Sequence, residues 1–158
     1  MYIKDKTLTF EAAPKWTTAG QLAMEAGSSA AAKGRARILI ADDNMFMRYS
    51  VSYLISLGTG LEVVGEAVNG QDAVTQARAL RPDIVIMDVN MPLMDGVEAT
   101  FLITEERPET LVVGFSASDG QNIKDKMLKA GAVDLIDKGE AVSILLPSLH
   151  RLWAERGR

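Results

Sequence analysis

The sequence predicts an α/β protein in which a doubly wound, five-stranded parallel sheet carries helices on both faces. Two observations lead there. Five short apolar runs alternate with five amphipathic stretches between residues 37 and 155, the rhythm of repeated βα units. The runs are also nearly continuous in hydrophobicity, as expected of strands covered on both sides. Right-handed crossovers then leave few topologies, and the strand order 2-1-3-4-5 is the expected one.

The first strand is expected at 37–41, where Ile38, Leu39 and Ile40 form an unbroken apolar run. A helix follows over 44–56, with Val51, Leu54 and Ile55 on one face. Strand two is placed at 62–67 and the second helix at 70–80, closed by Arg81-Pro82. The residue before a proline disfavours helical geometry, so such a pair marks a helix end. Strand three covers 84–87, a turn segment fills 89–96, and a helix over 97–106 stops at Arg107-Pro108. Strand four is expected at 111–115 and the next helix at 121–130, with Ile123, Met127 and Ala130 on its inner face. The final strand is placed at 133–136 and the final helix at 140–155, its buried face drawn through Val142, Leu145, Leu146 and Leu149. The order is flavodoxin-like, and it makes strands one and three neighbours.

That neighbourhood matters because both strands deliver acids at their C-terminal ends. Asp42 and Asp43 follow strand one and Asp88 follows strand three, and ligands of open α/β sheets sit at this edge. Carboxylates crowded in one pocket raise one another's pKa, and burial adds to the cost. A hard divalent cation resolves the conflict. A site of few carboxylates, with room for water and a phosphate oxygen, suits Mg2+. The bland alternative is three solvated strand-end acids. Two further groups weigh against it, because Ser116 follows strand four and Lys138 follows strand five. Taken singly, they have ordinary explanations as a turn former and a solvated charge. Together they set a hydroxyl donor and a cation opposite the acids, which suits an incoming phosphoryl group; lysine binds phosphate as a point charge.

Composition narrows the function classes. The chain has 158 residues, 47% of them hydrophobic, and a formal net charge of −4. That is the size of one domain with a full core, without a broad basic surface for nucleic acid. It has no cysteine and one histidine, His150, which excludes disulfides, thiol chemistry and multi-histidine metal sites within the chain. The P-loop pattern, the dinucleotide glycine fingerprint and the G-x-S-x-G elbow are all missing. No apolar run is long enough to span a bilayer, and the N-terminus lacks the pattern of a signal peptide; no membrane association and a cytoplasmic location are expected. Composition shifts near residue 34, where 27–34 is small and polar like a linker. The expected organisation is an extension and linker at 1–34 and the main domain at 35–158. Within the extension, Thr18 and Gln21 resemble a capping box opening a short helix through Met24.

From about Arg35 to Arg156 the chain resembles the receiver domains of two-component response regulators, the chemotaxis receivers among them. The resemblance rests on Asp42-Asp43, on Asp88 followed by Met91-Pro92-x-x-x-Gly96, on Ser116-Ala117 and on Lys138, all in order. It implies that Asp88 accepts a phosphoryl group. Asp43, Asp88 and the backbone carbonyl of Asn90 would ligate Mg2+, with Asp42 acting through metal-bound water. Ser116 would bond a phosphoryl oxygen and Lys138 would pair with the phosphate. The implied donor is a phosphohistidine on a sensor histidine kinase or a histidine phosphotransfer protein, and phosphorylation would switch contact with a downstream protein effector. Such a receiver catalyses its own phosphorylation and dephosphorylation and is not a classical enzyme. Homodimerisation is left open. The last helix reaches close to Arg158, so output is expected through a partner, through residues 1–34 or through a domain outside this chain.

Two positions depart from the family pattern. Gly139 stands where a proline usually follows the lysine, and Leu135 where an aromatic or histidine usually precedes it by three. Leucine has no polar tip to exchange between core and solvent. These departures keep a second reading open, a degenerate receiver that acts as a phosphorylation-independent interaction module. A third reading is a Mg2+-dependent phosphohydrolase with an aspartyl nucleophile. Such enzymes usually carry a second acid two residues on, where this chain has Asn90.

Overall fold

Strands β1 (Ala36–Ala41), β2 (Leu61–Ala67), β3 (Ile84–Asp88), β4 (Leu111–Ser116) and β5 (Asp134–Asp137) form one parallel sheet in the order β2-β1-β3-β4-β5. They alternate with α1 (Met45–Ser56), α2 (Gly70–Leu80), α3 (Gly96–Glu106), α4 (Gln121–Lys129) and α5 (Ala141–Glu155), and a one-turn 3-10 helix, Lys138–Glu140, joins β5 to α5. The structure, a computed structural model, describes residues 34–117 and 120–156. The short helix expected at 18–24 lies outside the described residues. The sheet belongs to the compact unit Arg35–Arg158.

Side chains alternate across a strand, and this splits the core in two. On one face Ile38, Ile40, Ile84, Ile86, Val113 and Phe115 pack with Val51 and Ile55 of α1 and with Leu145, Leu149 and Leu152 of α5. On the other, Leu39, Val85, Met87 and Val112 pack with Ala73, Val74 and Ala77 of α2, Ala99 and Ile103 of α3, and Met127 of α4. Strands β1, β3 and β4 are therefore apolar on both faces, which explains their unbroken apolar runs. Fully burying each such side chain contributes about 1.5–3 kcal/mol before chain entropy is subtracted.

Most elements differ from expectation by one residue at an end, and two differences bear on packing. The last strand begins at Asp134 rather than at 133 and runs to Asp137, which pairs with Ser116. As the edge strand it needs no apolar residue at its ends, so the apolar run marks its limits poorly. The inner face of α5 also runs differently from the sequence expectation. Val142 is 79% exposed, whereas Ala141, one turn before Leu145, is buried. The buried stripe goes through Ala141, Leu145, Leu149 and Leu152, and Val142 falls about 100° outside it.

Three of the helices start at the C-terminal edge of the sheet under side-chain caps. Asn44 accepts from the Phe46 and Met47 N–H groups, Asn69 from Asp72, and Asp95 from Glu98. Each cap satisfies donors that a helix start leaves unpaired and is worth about 1 kcal/mol.

Candidate functional site

Asp42, Asp43 and Asp88 come together at the C-terminal ends of β1 and β3, with one carboxylate oxygen from each within 4.8 Å of the others. Asp42 and Asp88 are buried, at 1% and 4% exposure, while Asp43 is open to solvent. Lys138 reaches in from the turn after β5. Its Nζ lies 2.6 Å from Asp42 Oδ2 and 3.1 Å from Asp88 Oδ1, and 5.6 Å from the centre of the Phe115 ring. Ser116 is fully buried at the end of β4, on the same sheet edge. Asn90 is exposed, and its N–H donates to Asp88 Oδ1 at 3.3 Å. Of the residues singled out from the sequence, the three acids lie together, and Lys138 reaches Asp42 and Asp88. Asp42, which the resemblance implies would act through metal-bound water, pairs with Lys138. Among the described residues no peptide bond is cis, so the Lys138–Gly139 bond is trans.

The loop after Asp88 folds back tightly onto the strand. The Gly96 N–H donates to the Val89 carbonyl at 2.8 Å, and a Cβ on Gly96 would sit 1.9 Å from the Asp88 carbonyl oxygen. Only glycine allows that approach. Gly96→Ala is expected to lower stability in urea unfolding by about 3 kcal/mol, the upper range for overpacking. Gly34→Ala, where an added Cβ meets nothing within 4 Å, should be close to neutral.

Charge balance decides what the pocket favours. Burial, with the Asp42 carboxylate beside it, pushes the Asp88 carboxyl above its ordinary value, against the lowering effect of Lys138 and the Asn90 N–H. For Lys138, burial alone would lower the ammonium, but the bond to Asp42 and the charges of Asp88 and Asp42 outweigh it and hold it raised. One ammonium thus serves two buried acids, with Asp43 beside them. All three acids offer hard oxygen donors with no nitrogen or sulfur among them, and Asp43 leaves one side open to water. This donor set fits Mg2+.

The sequence reading missed Arg48. It sits at the end of the first turn of α1, where a cation is disfavoured by the helix dipole. That misfit with a local rule was the available signal. Its guanidinium bonds the Asp42 backbone carbonyl and the Glu66 carboxylate.

Residues 38–149 match the response regulator receiver domain family, and the chain belongs to it. It is a receiver domain of the two-component type. It is 39% identical over 107 residues to a protein-glutamate methylesterase/protein-glutamine glutaminase of Methanosarcina acetivorans, covering 66% of this chain and 30% of that protein. It is 31% identical over 118 residues to the response regulator GacA of Pseudomonas viridiflava, covering 75% of this chain and 55% of that protein. The chain therefore spans well under two thirds of the length of these relatives. Among solved structures, the response regulator domain of Thermotoga maritima CheB matches with a TM-score of 0.69 and 32% identity over 78% of this chain and 98% of that one. A LuxR-family response regulator from Aurantimonas sp. SI85-9A1 matches with a TM-score of 0.74 and 30% identity, over 78% of this chain and 88% of that one. Among the described residues no helix is long and apolar enough to cross a membrane.

Proposed function

We propose that the protein is a phosphoacceptor receiver, taking a phosphoryl group from a phosphohistidine onto Asp88 with Mg2+ bound beside it. The observation that carries this is the buried Asp88 carboxylate, held against a second buried acid by a single ammonium. Such a group is under-compensated when the pocket is empty and gains from an added cation. In the transfer, an Asp88 oxygen attacks phosphorus in line as the P–N bond breaks, and the electron pair returns to the imidazole. Lys138 then releases Asp88 Oδ1 and pairs with a phosphoryl oxygen, while Ser116 donates to another. Asp43, Asp88 and the Asn90 carbonyl would hold the cation, with Asp42 acting through its water. When bound, Mg2+ offsets the negative charge that gathers on the transferring group. Hydrolysis later breaks the new P–O bond and restores the carboxylate.

The donor is a sensor histidine kinase or a histidine phosphotransfer protein. Its docking is supported by the exposed face of α1 beside the pocket, where Phe46, Tyr49 and Tyr53 recur at helical spacing. That apolar stripe suits a helical partner. A downstream effector would read the phosphorylated state, and residues 1–34 would form an extension outside the receiver.

Incubation with acetyl phosphate and Mg2+, followed by intact mass, tests the proposal. One added phosphoryl group per chain is expected, and turnover of many donor molecules with no adduct would instead indicate a hydrolase. Asp43→Ala should weaken Mg2+ binding by about tenfold or more, whereas Ser116→Ala should spare it. Equal Mg2+ affinity in wild type and Asp43→Ala, by calorimetry, would remove Asp43 from the metal site.

A further inference from the structure

Arg48 touches none of the reacting groups, yet its side chain is only 13% exposed. Nη1 donates to the Asp42 carbonyl at 2.9 Å and Nε to Glu66 Oε2 at 3.0 Å. That carbonyl belongs to the peptide joining Asp42 to Asp43. β1 ends at Ala41, so beyond this point the sheet ladder no longer sets the backbone direction. The Asp42 N–H still reaches the Ala67 carbonyl at 3.1 Å, and the Asn44 N–H bonds Asp42 Oδ1 at 2.9 Å. The peptide plane between the two acids is tied to β2 through the Arg48 fork. Glu66 lies in β2, paired in register with Ile40, so the far end of the fork is anchored in the sheet.

Resting on the receiver reading above, we infer that Arg48 is a positioning residue for the divalent cation. By clamping the Asp42 carbonyl to Glu66, it fixes how Asp43 presents its exposed carboxylate to the metal. Charge alone would make Arg48 act in the opposite direction, since a guanidinium beside an acidic pocket opposes a dication. The two roles therefore predict opposite signs. If Arg48 acts by position, its removal weakens Mg2+ binding; if it acts only as a nearby charge, its removal tightens it. Lysine keeps the charge but not the planar fork that spans both acceptors, so Arg48→Lys should recover only part of the affinity.

The test is calorimetric Mg2+ titration of the full chain as wild type, Arg48→Ala and Arg48→Lys. It is paired with amide hydrogen exchange at Asp43 and Asn44 in the metal-free protein. Arg48→Ala is expected to lose about tenfold in Mg2+ affinity, the lower range for groups that support metal ligands, and to exchange faster at both amides. Equal or tighter Mg2+ binding by Arg48→Ala, or unchanged exchange at the two amides, overturns the inference while leaving the receiver reading intact. Wild type that binds no Mg2+ overturns both. Should Arg48→Ala not fold, Arg48→Lys carries the same decision, because wild-type affinity there would show that charge suffices.

Discussion

Asp88→Asn is expected to abolish phosphorylation and, in the same protein, to raise the melting temperature of the metal-free form at neutral pH. The first effect is complete because an amide oxygen is no nucleophile for phosphoryl transfer. The second follows from the charge balance. Burial and the neighbouring Asp42 raise the folded-state carboxyl of Asp88 above the ordinary value of 3.8. For a raised acid, the stability it contributes is present below the unfolded value and is lost as pH rises through the folded one. At neutral pH the ionised Asp88 is thus a cost to the metal-free fold. Asparagine removes that charge while its Oδ1 still accepts from Lys138 and from the Asn90 N–H. The stabilisation should shrink as pH falls toward the ordinary value, because wild-type Asp88 then takes up its proton. Mg2+ should reverse the ranking, since wild type gains more from the cation. Thermal melts at neutral and acid pH, with and without Mg2+, check all of this. A mutant that melts below wild type at neutral pH in the metal-free form would mean that Asp88 is a satisfied structural acceptor.

Much of this site was legible because it depends on periodicity and position. Ile38-Leu39-Ile40 and Ile84-Val85-Ile86-Met87 read as strands buried on both faces, and parallel neighbours must bring their C-terminal acids together. No side-chain orientation was needed for that step. Orientation is where the sequence fell short. That Lys138 bonds Asp42 more closely than Asp88, at 2.6 against 3.1 Å, depends on the 3-10 turn after β5. Nothing in the order of residues announces that turn. Arg48 was hidden for a related reason, since its partners are a backbone carbonyl and a β2 carboxylate 18 residues away. Val142 shows a different limit. Apolar character at near-helical spacing named it as core, but Ala141 occupies the inward position and Val142 faces out. The edge strand β5 shifted by one residue because exposure on one side relaxes the demand for apolar ends.

Lys138→Met is expected to move stability in the direction opposite to Asp88→Asn. The Lys138 ammonium is held above its ordinary value of 10.5 because its bond to Asp42 and the charges of Asp88 and Asp42 outweigh the lowering effect of burial. For a raised base, the contribution is fully present below the unfolded value and is lost only as pH climbs through the folded one. Across the neutral range, therefore, Lys138 stabilises the fold. Methionine is similar in length but leaves Asp42 and Asp88 as two buried carboxylates without the Lys138 counter-charge. Breaking a buried pair in this way costs on the order of 3 kcal/mol, and one of the two acids is driven to hold a proton at neutral pH. Stability should return as pH falls and that proton is supplied without cost. Mg2+ should rescue the mutant more than it stabilises wild type, because the cation replaces the missing charge. Phosphorylation by acetyl phosphate should still slow, since no ammonium is left to take the phosphoryl oxygen. Urea unfolding at neutral and acid pH, with and without Mg2+, measures each part. If Lys138→Met unfolds with wild-type stability at neutral pH in the metal-free form, the ammonium is a solvated charge and the pocket balances its acids by some other group.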